Sequence, residues 1–221
     1  MSEPAPLDEA AHGLADEAAA LGVTLDHAVA QRVLRYLDAM LRENEHVNLT
    51  AIRATGAATV LHALDSLAAA RAVATPPTAA LDLGTGNGFP GVAVAALWPA
   101  CRVVLCDRTQ KKVAAVARAL RAAGDAQTEA VALDVAQAQA LRPDWCSAFD
   151  LVTVRAVATP KEVGALAKPL VRAGGTLLLW LDHETDAPRL HGFSAPDIVV
   201  YDLPEPAPRR RRLAAYRRIR S

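Results

Sequence analysis

Aromatic residues are scarce in this chain. Three Phe, three Trp and three Tyr make up 4% of its 221 residues. The core must therefore be built from Ala, Val and Leu, which the 52% hydrophobic content supplies. Phe89, Trp98, Trp145, Trp180 and Phe193 show no pattern of a stacking platform for single-stranded nucleic acid. Cysteine is scarce too. Cys101, Cys106 and Cys146 are odd in number and lack metal-ligand spacing, which argues against a disulfide frame and a zinc site and suits a reducing compartment. Positive charge is missing from the front: no Lys or Arg precedes Arg32, the reverse of a signal peptide's charge. No apolar run reaches membrane-spanning length. A soluble, cytoplasmic protein without a membrane or metal partner is expected, as a monomer.

What is present is organised around one stretch. Ala79 to Leu83 is a short apolar run, Gly84-Thr85-Gly86-Asn87-Gly88 follows, and an amphipathic run opens near Pro90. That is the layout of a strand, a glycine loop and a helix start. Glycines allow positive φ and close approach of a ligand to the backbone. Two chemistries fit. Gly86-x-Gly88-x-x-Gly91 matches the dinucleotide fingerprint, with pyrophosphate on the helix N-terminus. Asp82-x-Gly84-x-Gly86-x-Gly88, two residues earlier, resembles motif I of class I S-adenosylmethionine (AdoMet) methyltransferases. Asp107 closes the next apolar strand, Arg102 to Cys106, where either cofactor's ribose hydroxyls would be bound.

Along the chain, Pro4 to Gly22 reads as an Ala-rich helix. A second helix, capped by Thr24 or Asp26, aligns Val29, Val33, Leu37, Met40 and Leu41 on one face. A third, which Thr55 can cap, runs to Val73 and carries His62, Asp65 and Ser66, read first as a satisfied structural cluster and second as a site. Thr75-Pro76-Pro77 marks the boundary between a helical region, 1–74, packing on the core and the catalytic core itself, 75–221. In the core, strands Ala79–Leu83, Arg102–Cys106, Thr128–Leu133, Leu151–Val154 and Thr176–Leu181 alternate with helices Pro90–Leu97, Thr109–Ala123, Val135–Leu141 and Lys161–Leu170. Gly124 and the pair Gly174-Gly175 are read as helix-end punctuation. Alternation of this kind predicts an α/β fold with a parallel, doubly wound sheet. Ile198–Leu203 and Leu213–Ile219 add a closing antiparallel pair, giving the mixed, Rossmann-like sheet usual in class I methyltransferases.

Further motifs come in a fixed order: Asn48-Leu49-Thr50-Ala51-Ile52-Arg53, His62-x-Leu64-Asp65-Ser66, the glycine loop with Phe89-Pro90-Gly91, Asp107-x-x-x-Lys111-Lys112-Val113, and Arg155-Ala156-Val157-Ala158. This series resembles the RsmG (GidB) family of small-subunit rRNA guanine-N7 methyltransferases. The resemblance implies AdoMet as cofactor, and small-subunit rRNA or a ribosomal particle as partner. It implies cofactor contacts at Asp82, Gly84, Gly86, Gly88 and Phe89 around the methionine and sulfonium region, and at Asp107 for the ribose. Val135 and Ala136 would flank the adenine through main-chain groups; the family usually has Arg and Glu around these positions, and in this chain Asp134 is the acceptor available to the exocyclic amine. Arg155 would touch the cofactor region and act at the methyl-transfer centre, its planar fork donating to guanine O6 or a phosphate; an internal salt bridge is the competing reading.

Guanine N7 carries a lone pair and no proton, so its methylation needs in-line placement and no general base. No Asn/Asp-Pro-Pro-aromatic motif of exocyclic-amine methylation is present, and no Pro-Cys nucleophile of C5 methylation. Arg209 to Arg212, Arg217, Arg218 and Arg220 form a basic end suited to phosphate contacts. Leu181-Asp182-His183-Glu184 stands where the family usually has Lys-Gly, which leaves open a diverged relative acting on a small nitrogen heterocycle. A nicotinamide-dependent oxidoreductase and a non-catalytic RNA-binding module remain as readings from other classes.

Overall fold

A computed structural model describes residues 6–155 and 158–219. The expected start at Pro4, the Ala156-Val157 part of the fourth-strand motif and Arg220 lie outside the described residues. The chain begins with helices α1 (Pro6–Ala20) and α2 (His27–Asn44). A helical stretch of changing pitch follows, made of α3 (Thr55–Ala58), the π-helical Thr59–Leu64, α4 (Asp65–Leu67) and the 3-10 turn Ala68–Arg71. Then come β1 (Ala79–Leu83), α5 (Gly91–Leu97), β2 (Arg102–Asp107), α6 (Gln110–Ala122), β3 (Glu129–Ala132), α7 (Ala138–Leu141), β4 (Phe149–Arg155), α8 (Pro160–Ala167), β5 (Val171–Asp182), β6 (Asp197–Leu203) and β7 (Arg209–Arg217).

The seven strands form one sheet in the order β3-β2-β1-β4-β5-β7-β6, parallel through β5, with β7 antiparallel to both β5 and β6. The order reverses between β1 and β4, and a ligand crevice is expected at the carboxyl ends of the strands there. Strand residues alternate between two cores. Ala80, Val103, Leu105, Leu151 and Leu178 face the layer built by α1, α2, α5 and α6. Leu81, Val104, Val152, Leu177 and Leu179 face the layer of Trp145, Val163 and Ala167. Burial on both faces explains why the strands read as continuous apolar runs.

Helix α2 buries Val33, Leu37 and Met40 as its periodicity predicts, and Tyr36 beside them. Arg32 fixes its position, donating to the Ala95 carbonyl at 2.9 Å and pairing with Asp125 at 2.8 Å. Three expectations are corrected. Ala54, not Thr55, stands at the cap position of α3, and neither it nor Asp26 on α2 makes a side-chain cap bond. Gly174 and Gly175 lie inside β5, not at a helix end. The register shift on β4 opposite them makes this a bulge, with Gly174 at φ +80°. Strand β7 starts at Arg209, so Arg209 to Arg212 are ladder residues and not a tail.

Candidate functional site

A cavity of about 560 Å³ opens over the carboxyl ends of β1, β2 and β4. Its walls divide into two ends. Gly84, Gly86, Asp107, Thr109, Asp134 and Val135 line one, and Leu49, Thr50, His62, Asn87, Phe89 and Arg155 the other.

At the first end the loop takes its shape from positive φ angles at Gly84 (+72°), Gly86 (+55°) and Gly88 (+93°). Asp107 ends β2 and braces the loop. Its Oδ2 accepts from the Gly86 N–H at 3.0 Å and its Oδ1 from the Thr109 N–H at 2.8 Å. Each oxygen keeps a lone pair for a further donor. Cys106 lines the same end, and burial pushes its thiol up to about 12, so it is no nucleophile at neutral pH.

Three residues expected to touch the cofactor are off the cavity wall, each for a visible reason. Asp82 is 1% exposed. Its carboxyl accepts from Thr153 Oγ1 at 2.7 Å and from Thr85 Oγ1 at 2.5 Å and packs against Gly91, so it ties loop, β4 and α5 together. Burial raises its pKa, and these donors offset part of that. Gly88 is required by Tyr36, whose hydroxyl would lie 1.9 Å from an added Cβ and donates to the Asn87 carbonyl at 2.8 Å. Ala136 gives its N–H to Asp134 Oδ1 at 3.0 Å, which leaves Val135 as the cavity residue of that turn.

At the second end, Asn44 fixes the entering loop: its Oδ1 accepts from the Leu49 and Thr50 N–H groups at 2.8 and 2.9 Å. His62, inside the π-helical stretch, stacks on Phe89 with ring centroids 6.2 Å apart. Its Nε2 lies 3.0 Å from Thr50 Oγ1 and its Nδ1 3.4 Å from Arg155 Nη2. Burial and the neighbouring guanidinium lower its pKa to about 3, so the ring is neutral.

Arg155 ends β4 as expected and lines the cavity. Its fork, expected to donate to substrate, is already engaged. Nη1 donates to the Leu61 carbonyl at 3.0 Å and lies 3.5 Å from Asp65; Nη2 donates to the Phe89 carbonyl at 3.2 Å. Burial pulls its pKa down and Asp65 raises it again. Among the described residues only Nε has no acceptor. Arg155 thus ties the Leu61 and Phe89 backbones together at the second end.

Arg211 corrects the reading of a basic end. It is 8% exposed, gripping Asp65 at 3.1 Å and Asp182 at 2.5 Å. Asp182, which stands where a basic residue was expected, is therefore neutralised from within. Arg212 donates to the His183 and Thr185 carbonyls, leaving Arg209 and Arg210 as the exposed members of the run. Arg108 and Lys112 line the cavity instead. Thr50 and Asn87 are wall residues to which motif reading gave no role, and His62 is one it offered only as a second reading; they sit in the Asn-Leu-Thr run, the glycine loop and the His-x-Leu-Asp-Ser run.

The family model described as GidB, rRNA small subunit methyltransferase G, matches residues 29–186. Ribosomal RNA small subunit methyltransferase G of Sorangium cellulosum is 38% identical over 170 residues, covering 76% of this chain and 70% of its own. The protein of that name in Anaeromyxobacter dehalogenans is 36% identical over 205 residues, covering 90% and 94%. Among solved structures, a predicted O-methyltransferase from Agrobacterium tumefaciens superposes with a TM-score of 0.54 at 23% identity, over 69% of this chain and 80% of its own. TrmN from Thermus thermophilus does so with 0.51 at 20%, over 71% and 48%. These two structural likenesses show the fold.

Proposed function

The chain belongs to the GidB family of rRNA small-subunit methyltransferases, and on that premise we propose that it moves the methyl group of AdoMet to N7 of a guanine in small-subunit rRNA. It is a methyltransferase acting on rRNA. The observation that carries the choice of cofactor is the Asp82 carboxyl packed against the start of α5, its Oδ2 3.0 Å from where a Cβ at Gly91 would stand. A dinucleotide needs that helix start for its pyrophosphate. The Asp82 carboxyl already occupies that helix start, so the Gly86-x-Gly88-x-x-Gly91 match does not support a nicotinamide cofactor.

The residues present fit AdoMet. When bound, it supplies an electrophilic methyl on a sulfonium. Asp107 has lone pairs for two ribose hydroxyls, Asp134 has an acceptor for an adenine amine, Val135 supplies an apolar wall, and Gly84 and Gly86 leave the backbone bare for the amino-acid part. The second end is then left for the base. Among the described residues, none in its wall is poised to remove a proton: His62 is neutral and engaged at both nitrogens, and the nearby Cys106 is a thiol. A lone-pair acceptor such as guanine N7 needs none. Arg155 we assign to positioning, since its fork holds the Leu61 and Phe89 carbonyls and so fixes the width of the base end.

Incubation of the protein with labelled AdoMet and either rRNA or a panel of small nitrogen heterocycles tests the substrate class. Label in rRNA is expected; transfer to a heterocycle with none to rRNA would reassign the protein to the diverged alternative.

A further inference from the structure

Thr50 lies half-buried on the cavity wall, and all but one of its hydroxyl's hydrogen-bonding capacities are accounted for. A hydroxyl can accept twice and donate once. Its oxygen accepts from the Ile52 N–H at 3.1 Å and lies 3.0 Å from His62 Nε2. The direction of that second bond follows from the far side of the imidazole. Arg155 Nη2 sits 3.4 Å from Nδ1, and a guanidinium can only donate. A proton on Nδ1 would face the guanidinium's own hydrogens, and the neighbouring Leu61 carbonyl already accepts from Arg155 Nη1 at 3.0 Å, so we assign Nδ1 as the acceptor and the hydrogen to Nε2. The ring is neutral, with its pKa lowered to about 3, so it has one N–H to give. It gives it to Thr50. Both acceptor positions of Thr50 Oγ1 are then filled, and its own O–H is left as a donor with no acceptor among the described residues, on a residue that lines the cavity.

We infer that Thr50 donates this hydroxyl hydrogen to the O6 carbonyl of the target guanine, making it a specificity residue held in donor orientation by the relay Arg155–His62–Thr50. The inference rests on the guanine-methylating function proposed above. A hydroxyl whose acceptor positions are filled discriminates between purines. Guanine presents O6, an acceptor, at the position where adenine presents the N6 amine, a donor. A donor-only hydroxyl pairs with the first and confronts the second with unpaired hydrogens. N7 adjoins O6 on the same base edge, so the bond that selects guanine also restricts the rotation of the ring that receives the methyl.

The test is a double substitution cycle. The wild-type protein, Thr50→Val and Thr50→Ser are each assayed for methyl transfer to two versions of the rRNA substrate, one with guanine at the methylated position and one with 2-aminopurine, which keeps N7 and lacks O6. With guanine, Thr50→Val should lower kcat/KM about tenfold, the equivalent of one hydrogen bond, and Thr50→Ser should restore it. With 2-aminopurine, the wild-type protein and Thr50→Val should be equally slow. AdoMet affinity, measured by calorimetry, should be the same in all three. If Thr50→Val slows both RNAs by the same factor, Thr50 acts only on structure and the inference is wrong. If it weakens AdoMet binding, the hydroxyl serves the cofactor and the inference is again wrong. Failure of the wild-type protein to methylate the guanine RNA at all would refute the proposed function itself.

Discussion

Arg211, on β7, closes on Asp65, in the helical stretch, through Nε at 3.2 Å and Nη2 at 3.1 Å, and the same carboxylate lies 3.5 Å from Arg155. One buried acid thus serves two buried cations, and Tyr201 adds a third donor at 2.7 Å. The closing hairpin is connected in this way to Arg155, which holds the second end of the cavity. Asp65→Asn removes the charge that both guanidiniums face and leaves Arg211 only the exposed Asp182, which should destabilise the fold by about 3–5 kcal/mol. Urea denaturation measures it. A loss within about 0.5 kcal/mol, as at an ordinary surface site, would mean that the pairs are incidental.

Arg155→Lys keeps the charge but replaces a fork that spans two carbonyls with a single ammonium. The expected result is a fall in kcat of about 100-fold from the slackened base end, with a stability loss of about 1–3 kcal/mol from the carbonyl left unpaired. Turnover under saturating AdoMet and a parallel denaturation series separate the two effects. Wild-type turnover in this variant would remove Arg155 from the positioning role.

Asp107→Ala should weaken AdoMet binding by about 1.5–3 kcal/mol, the range for hydrogen bonds to a charged acceptor. Calorimetry on folded protein reads this directly. Affinity equal to wild type would show that the ribose is not held at Asp107, and the assignment of the cavity's two ends would fall with it.

The neutral burial of His62 has a pH signature. Its folded pKa is near 3, against an unfolded value of about 6.5. The unfolded chain therefore binds a proton first as pH falls. Stability from this group is complete above about pH 6.5 and declines as pH falls toward its folded value, by at most about 1.4 kcal/mol per pH unit. Between pH 6.5 and 4.5, before most carboxylates titrate, the wild-type protein should lose about 2 kcal/mol and His62→Gln clearly less. Equal losses in both proteins would contradict the neutral assignment.

The parallel strands were legible because both their faces are buried. Apolar runs such as Ala79–Leu83 and Arg102–Cys106 show up at close to their true bounds, and the glycine loop between strand and helix is punctuated by its own sequence. Asp107 and Arg155 were legible for a related reason: a polar residue closing an apolar strand emerges at the sheet's ligand-bearing edge. Partnership is what the sequence hid. Whether an acid near a glycine loop meets a ligand or a helix start depends on depth, and Asp82 lies below the loop, hydrogen-bonded to two threonines and packed against Gly91. Gly88 signals a tight approach in the sequence without saying that Tyr36, 52 positions earlier, is what approaches. The run Arg209–Arg212 reads as uniform charge, yet strand alternation turns Arg211 inward to Asp65 while Arg210 faces out. His62 and Thr50 needed the π-helical turn to bring them beside Arg155, and no periodicity rule marks that turn.

The most direct test is nucleoside analysis of small-subunit rRNA taken from cells lacking this protein and then incubated with the purified protein and labelled AdoMet. The label should be recovered in a single nucleoside, 7-methylguanosine. Recovery of label in a base methylated at carbon, at an exocyclic amine or on ribose, or no transfer to rRNA at all, would contradict methylation at guanine N7.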